Sequence, residues 1–165
     1  MTEFTIPRIT TARLVLRAPV MADFEPYAAL LASPRAMHMG GPYARKAAWG
    51  IFCSDIAQWA LFGHGSLMVD LAGGACVGQV GINHGPLFPE KELGWQLYEG
   101  FEGQGYATEA AAALREWAGA RGWRGLVSYV HTDNAASAAV ARRLGATLDA
   151  AAVVQDPGDL VFRHP

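Results

Sequence analysis

The chain has 165 residues, 52% apolar and 17% charged, with a net charge of −2. That length suits one domain with a real core, and the composition excludes a disordered tail. No block of like charge recommends nucleic acid or an anionic membrane as partner, and no apolar run reaches the roughly 18 residues of a membrane span.

The N-terminus shows no basic stretch leading into an apolar one, so the chain reads as cytoplasmic. Arg13-Leu14-Val15-Leu16-Arg17 alternates polar and apolar, as a half-buried strand does. Pro19 ends it, and Asp23 is set to cap a short helix that stops near Ser33-Pro34. Trp49, Phe52, Cys53, Ile56, Trp59 and Ala60 recur at helical intervals and form the apolar face of a second helix. Ser54, Asp55 and Gln58 interrupt this stretch and keep it out of a bilayer. Cys53 and Cys76 lack metal-ligand spacing and read as buried core thiols, and no metal is expected.

The period then changes. Ser66 to Leu71 and Cys76 to Asn83 flank Gly73-Gly74 as a hairpin, and a loop from Pro86 to Lys91 leads to a strand from Glu92 to Tyr98. A glycine-punctuated turn opens a helix with Ala107, Ala111, Leu114 and Ala118 on its face, stopping near Gly122. Leu126 to His131 is a strand, and Asp133-Asn134 caps a helix carrying Ala136, Val140 and Leu144, with Gly145 at its end. Further strands are expected at Ala151 to Gln155 and Asp159 to Arg163. This order predicts a single α+β domain over residues 1–165, not a doubly wound sheet.

Gly103-Gln104-Gly105-Tyr106-Ala107-Thr108-Glu109-Ala110 lies between a strand and a helix. Glycine lets the backbone turn tightly against a ligand, and the helix start offers unpaired N–H groups and a positive dipole end to a phosphate. The alternative is an ordinary strand-to-helix turn. A Rossmann site fits poorly, because the glycines follow antiparallel-type strands and Thr108 stands where a third glycine belongs.

Together, Glu92-Leu93-Gly94-Trp95-Gln96-Leu97-Tyr98 and the turn at Gly103 to Ala110 resemble the acetyl-CoA-binding motif of the GNAT superfamily. The likeness is greatest to the branch holding the ribosomal-protein N-terminal acetyltransferases. Thr11 to Arg17 is similar to that branch's opening strand, and Asn134-Ala135-Ala136-Ser137 with Val140, Leu144 and Gly145 to its later helix. Glu102 departs from the pattern, which often has an aromatic or basic residue there. Its charge opposes a pyrophosphate and is expected to point to solvent.

The resemblance implies a mixed, mostly antiparallel sheet flanked by helices, with two parallel strands splayed at the acyl-CoA site. It implies pantetheine pairing near Leu97, Tyr98 and Glu99, and pyrophosphate on Gly103, Gln104, Gly105, Tyr106, Ala107 and Thr108. Asn134 and Ser137 would also meet the cofactor. The implied reaction is direct transfer of an acetyl group from acetyl-CoA to a primary amine, on a small molecule or a protein N-terminus. Glu92 is the candidate general base, with His84 and His131 as rivals, and Ser137 a candidate donor to the leaving thiolate, Ala141 standing where relatives place a tyrosine. Arg142 and Arg143 either reach the 3′-phosphate of CoA or form a solvated helix face. A non-catalytic acyl-CoA-binding module on the same fold is the alternative, and a monomer or homodimer is expected.

Overall fold

The computed structural model describes residues 4–165. An eight-stranded sheet runs in the order β1-β2-β3-β4-β5-β6-β8-β7. Its strands are β1 (Ile9–Thr10), β2 (Leu14–Arg17), β3 (Ser66–Leu71), β4 (Cys76–Asn83), β5 (Glu92–Leu97), β6 (Val127–His131), β7 (Thr147–Leu148) and β8 (Asp159–Arg163). All neighbours pair antiparallel except β5 and β6. Helices α1 (Phe24–Ala32), α2 (Arg45–Phe62), α3 (Tyr106–Gly119) and α4 (Ala135–Arg143) flank the sheet, and a 3-10 helix, Pro34–Met39, joins α1 to α2. Among the described residues no helix is long and apolar enough to cross a membrane.

The main core joins the sheet to α3. Leu14, Leu16, Leu67, Val69, Val80, Ile82 and Leu93 pack there against Ala110, Ala111, Leu114 and Ala118. A second cluster joins α1 to α2 through Phe24, Tyr27, Leu31, Ala48 and Phe52. Burying one such large side chain contributes about 1.5–3 kcal/mol, so these faces fix where each helix sits.

Four local expectations differ from what is observed. Residues 151–155 form turns rather than a strand, because β8 already pairs with β6 on one side and with Thr147–Leu148 on the other. Asp23 precedes α1 but does not cap it; its carboxylate accepts from Arg17 at 2.7 and 2.8 Å and from the Val20 N–H at 2.8 Å. Helix α4 buries Ala138 and Ala141 where Ala136 was expected, and Ala136 is exposed. The cysteines are half-buried rather than buried. Burial pushes the Cys76 thiol up to about 11, so it stays a thiol at neutral pH.

Candidate active site

Strands β5 and β6 share a single registered pair, Glu92 with Val127, and part beyond it. Alternation along β5 decides which main-chain groups face the gap. Tyr98 donates its N–H to Val77 O on the β4 side at 2.8 Å. On the other side Lys91 O accepts from Val127 N at 3.0 Å and Leu93 O from the Ser128 hydroxyl at 2.5 Å. The odd positions therefore open to the gap, and the pairing groups there are those of Trp95 and Leu97. Of the three positions expected to pair with pantetheine, Leu97 faces the gap, Tyr98 turns its amide to β4, and Glu99 lies exposed beyond the strand end.

The turn after β5 has the form that a phosphate requires. Gly103 and Gly105 adopt φ of 75° and 82°, a left-handed conformation that an ordinary residue holds only at a cost of about 1–2 kcal/mol. Among the described residues, none of the main-chain N–H groups of residues 103–108 donates a hydrogen bond. The Thr108 hydroxyl, in the first turn of α3, is buried without a partner. A cradle of unpaired donors at a helix start fits the pyrophosphate of CoA.

The opening strand braces this cradle. Glu109 accepts from the Thr11 hydroxyl at 2.6 Å, the Arg13 N–H at 3.0 Å and Arg13 Nε at 2.7 Å. Arg13 Nη1 donates to Gln104 O at 2.9 Å, and its guanidinium lies 4.8 Å from the centre of the Tyr106 ring. Tyr106 also donates to Gln104 Oε1 at 3.2 Å. The conformation of the turn is thus fixed from both flanks.

At α4, Asn134 Oδ1 accepts from the Ser137 N–H at 3.1 Å, as a helix cap does. This leaves Asn134 Nδ2 free of described partners, and the half-buried Ser137 hydroxyl likewise bonds to no described residue. Arg142 and Arg143 are exposed in the last turn, with Arg142 5.4 Å from the Phe162 ring centre.

The opposite face of the sheet carries an arrangement the sequence reading did not anticipate. Cross-strand pairs Gln79–Gln96, Gly81–Gly94 and Asn83–Glu92 place a polar–glycine–polar stripe toward α2. The stripe is internally bonded: Gln96 Nε2 donates to Gln79 Oε1 at 3.2 Å, and Asn83 Nδ2 to Glu92 Oε2 at 3.0 Å. From α2, Gln58 Nε2 donates to Asn83 Oδ1 at 3.3 Å, and its Oε1 accepts from the His84 N–H at 2.8 Å. Tyr27 of α1 donates to Asp55 Oδ2 at 3.1 Å. Gly94 leaves the floor open beside the Glu92 carboxyl, since a Cβ there would stand 3.5 Å from Glu92 Oε2.

Two carboxyl groups in this cleft are pushed well above the ordinary carboxylate range. Burial pushes Glu92 up to about 7, opposed by the Asn83 amide and reinforced by Asp55 and Asp159. Burial likewise raises Asp55 to about 7 against the Tyr27 hydroxyl and the Gln79 amide. A carboxyl group poised near neutrality is suited to proton transfer.

The rival histidines have other company. His84 packs edge-on against Phe62 at 6.0 Å, and His131 stacks on His38 at 5.1 Å while its Nδ1 accepts from the Asp133 N–H at 3.2 Å. Trp59 is core, with Nε1 donating to Ser66 O at 2.9 Å. The residues missed were Tyr27, Asp55, Gln58, Gln79 and Gln96. For Gln79 and Gln96 the signal was the alternation of polar residues and glycine in two adjacent strands where a covered face is ordinarily apolar, and for Asp55 and Gln58 it was a polar break in the apolar helix α2. Among the described residues no group of three or more His, Cys, Asp or Glu is arranged to hold a metal.

The family model described as the acetyltransferase (GNAT) domain matches residues 13–147. An acetyltransferase from Agrobacterium tumefaciens str. C58 is 57% identical, with a TM-score of 0.95 over 100% of this chain and 98% of that one. A GNAT-family acetyltransferase from Bordetella pertussis is 23% identical, with a TM-score of 0.78 over 97% of this chain and 100% of that one. The ribosomal L7/L12 α-N-protein acetyltransferase RimL, solved in complex with coenzyme A, is 22% identical, with a TM-score of 0.76 over 96% of this chain and 97% of that one. These last two likenesses concern the fold. No curated protein matches the chain.

Proposed function

The chain belongs to the GNAT acetyltransferase family, an acetyl-CoA-dependent acyltransferase by that membership, and we propose that it acetylates a primary amine by direct attack. The observation that carries this reading is the Glu92 carboxyl, held near neutral pKa in a polar cleft where β5 and β6 begin to part.

Acetyl-CoA supplies the acetyl group as a thioester. The amides of residues 103–108 would hold its pyrophosphate, and the gap-facing groups of Trp95 and Leu97 its pantetheine arm. An amine attacks only when neutral, and a lysine-type amine has a pKa of about 10.4. Glu92, ionised, takes the proton as the nitrogen forms its bond to the acyl carbon and the carbon–sulfur bond breaks. A free N–H on the β5 edge stabilises the charge that develops on the acyl oxygen. Ser137 donates toward the departing sulfur, directly or through water. No acyl-enzyme is needed, and the raised Cys76 thiol is a poor nucleophile. The finer substrate reading, a protein α-amine or a small-molecule amine, is tested by a screen of amines with acetyl-CoA, read by CoA release and product mass. Should no amine release CoA while acetyl-CoA still binds, the non-catalytic module is the better reading.

Asn134 and Ser137 carry separable expectations. Asn134→Ala loses the cap, costing about 0.5–2 kcal/mol of stability, and removes the free Nδ2 proposed to meet pantetheine. Both melting temperature and acetyl-CoA affinity should fall. Ser137→Ala should keep both and slow turnover. Loss of affinity in Ser137→Ala with only a rate loss in Asn134→Ala would reverse the two assignments.

A further inference from the structure

Glu102 immediately precedes the phosphate-binding turn, where its charge opposes a pyrophosphate. A cation meets it from a distant part of the chain. Arg35, in the 3-10 helix Pro34–Met39, forms an ion pair with Glu102, and its Nη2 donates to Leu97 O at 2.9 Å. The arginine is itself anchored. Its N–H donates to the Ser33 hydroxyl at 3.3 Å, Tyr43 donates to Met39 O at 2.5 Å, and His38 stacks on His131 of β6. The segment therefore touches both sides of the gap between β5 and β6.

Glu102 is equally fixed, accepting from the Gly100 N–H at 2.9 Å. Partial burial pushes its carboxyl up, but its own amide, Arg35 and the Gly100 N–H together hold it below the ordinary range. It is ionised at neutral pH, and the charge needs an answer.

We propose that Arg35 is a positioning residue of the acyl-donor site, neutralising Glu102 and tying the phosphate-binding turn to the end of β5. The inference rests on residues 103–108 holding the pyrophosphate of CoA. The Leu97 carbonyl has two lone pairs, so the bond from Arg35 leaves one for a pantetheine amide. The segment between α1 and α2 thereby supplies the positive charge absent from the turn's own sequence.

Calorimetric titration with acetyl-CoA tests this on the wild type, Arg35→Ala, Arg35→Lys, Glu102→Gln and the Arg35→Ala/Glu102→Gln double variant, each with a melting curve. Arg35→Ala should bind about tenfold more weakly, and Arg35→Lys, which keeps the charge, within about threefold of wild type. The double variant should regain most of the loss, because no bare carboxylate remains. Unchanged or tighter binding by Arg35→Ala overturns the proposal, the tighter result meaning that Arg35 obstructs the gap. A double variant as weak as Arg35→Ala overturns it too. Gly105→Glu separates the two levels of inference. If it binds as wild type does, the assignment of the turn is at fault; if it abolishes binding while Arg35→Ala is neutral, only the role of Arg35 fails.

Discussion

Gly105→Glu should abolish acetyl-CoA binding, a loss of at least about 10²-fold, or about 2.8 kcal/mol at 1.4 kcal/mol per tenfold. Two effects act together. The residue sits at φ 82°, where a side chain is strained, and its Cβ would stand 3.4 Å from Arg13 Nη2 in the brace that shapes the turn. The new carboxylate also lies among the amides assigned to the pyrophosphate and repels it. Gly103→Ala is the matched control, since Gly103 shares the left-handed backbone, a Cβ there meets nothing within 4 Å, and alanine brings no charge. It should weaken binding less. The strain is of order 1–2 kcal/mol against a domain stability of about 5–15 kcal/mol, so both variants should still fold cooperatively. A folded Gly105→Glu protein with wild-type affinity in calorimetry would remove the turn from the donor site.

Glu92→Gln should lower turnover by about 10²–10⁴-fold, the usual cost of a lost general base, with acetyl-CoA affinity little changed. Glutamine can keep the bond to Asn83 but cannot take a proton. Because burial raises the Glu92 carboxyl to about 7, the wild-type rate should climb with pH through that value as the group ionises. The variant should lack this limb. Stability carries the same signature with a fixed sign. An unfolded glutamate titrates near about 4.3, so the folded state holds the proton more tightly and loses stability as pH rises from there to about 7. The melting-temperature difference, variant minus wild type, should therefore grow between pH 5 and pH 7. Wild-type turnover in Glu92→Gln across pH 6 to 9 would make Glu92 structural and turn attention to His84, which follows its strand partner Asn83, or to His131.

The two halves of the candidate site were unequally legible, for a physical reason. The donor half is built from main-chain geometry, and glycine spacing, a capping asparagine and the start of a helix are local features that a sequence displays. Even there, the reason for the Thr11–Arg13 pattern was hidden, because its partner Glu109 lies 96 residues from Arg13. The acceptor half is built from side chains on four elements. Asp55 read as a polar break in an apolar helix, and its meeting with Tyr27 depends on how α1 packs against α2. Residues 151–155 misled because β-branched content shows willingness to pair but not whether a neighbouring edge is free.

Strand β5 serves three clients at once through its pleat. On the proposed reading its even side chains face the amine and its backbone edge the thioester donor, while its odd side chains pack into the interior. If the donor is held by the backbone in this way, its binding should depend little on the side chains at positions 94 and 96. With Glu92 kept as the base, substitutions at Gly94 and Gln96 and at their β4 partners Gly81 and Gln79 should then alter acceptor preference while leaving the donor's seat unchanged.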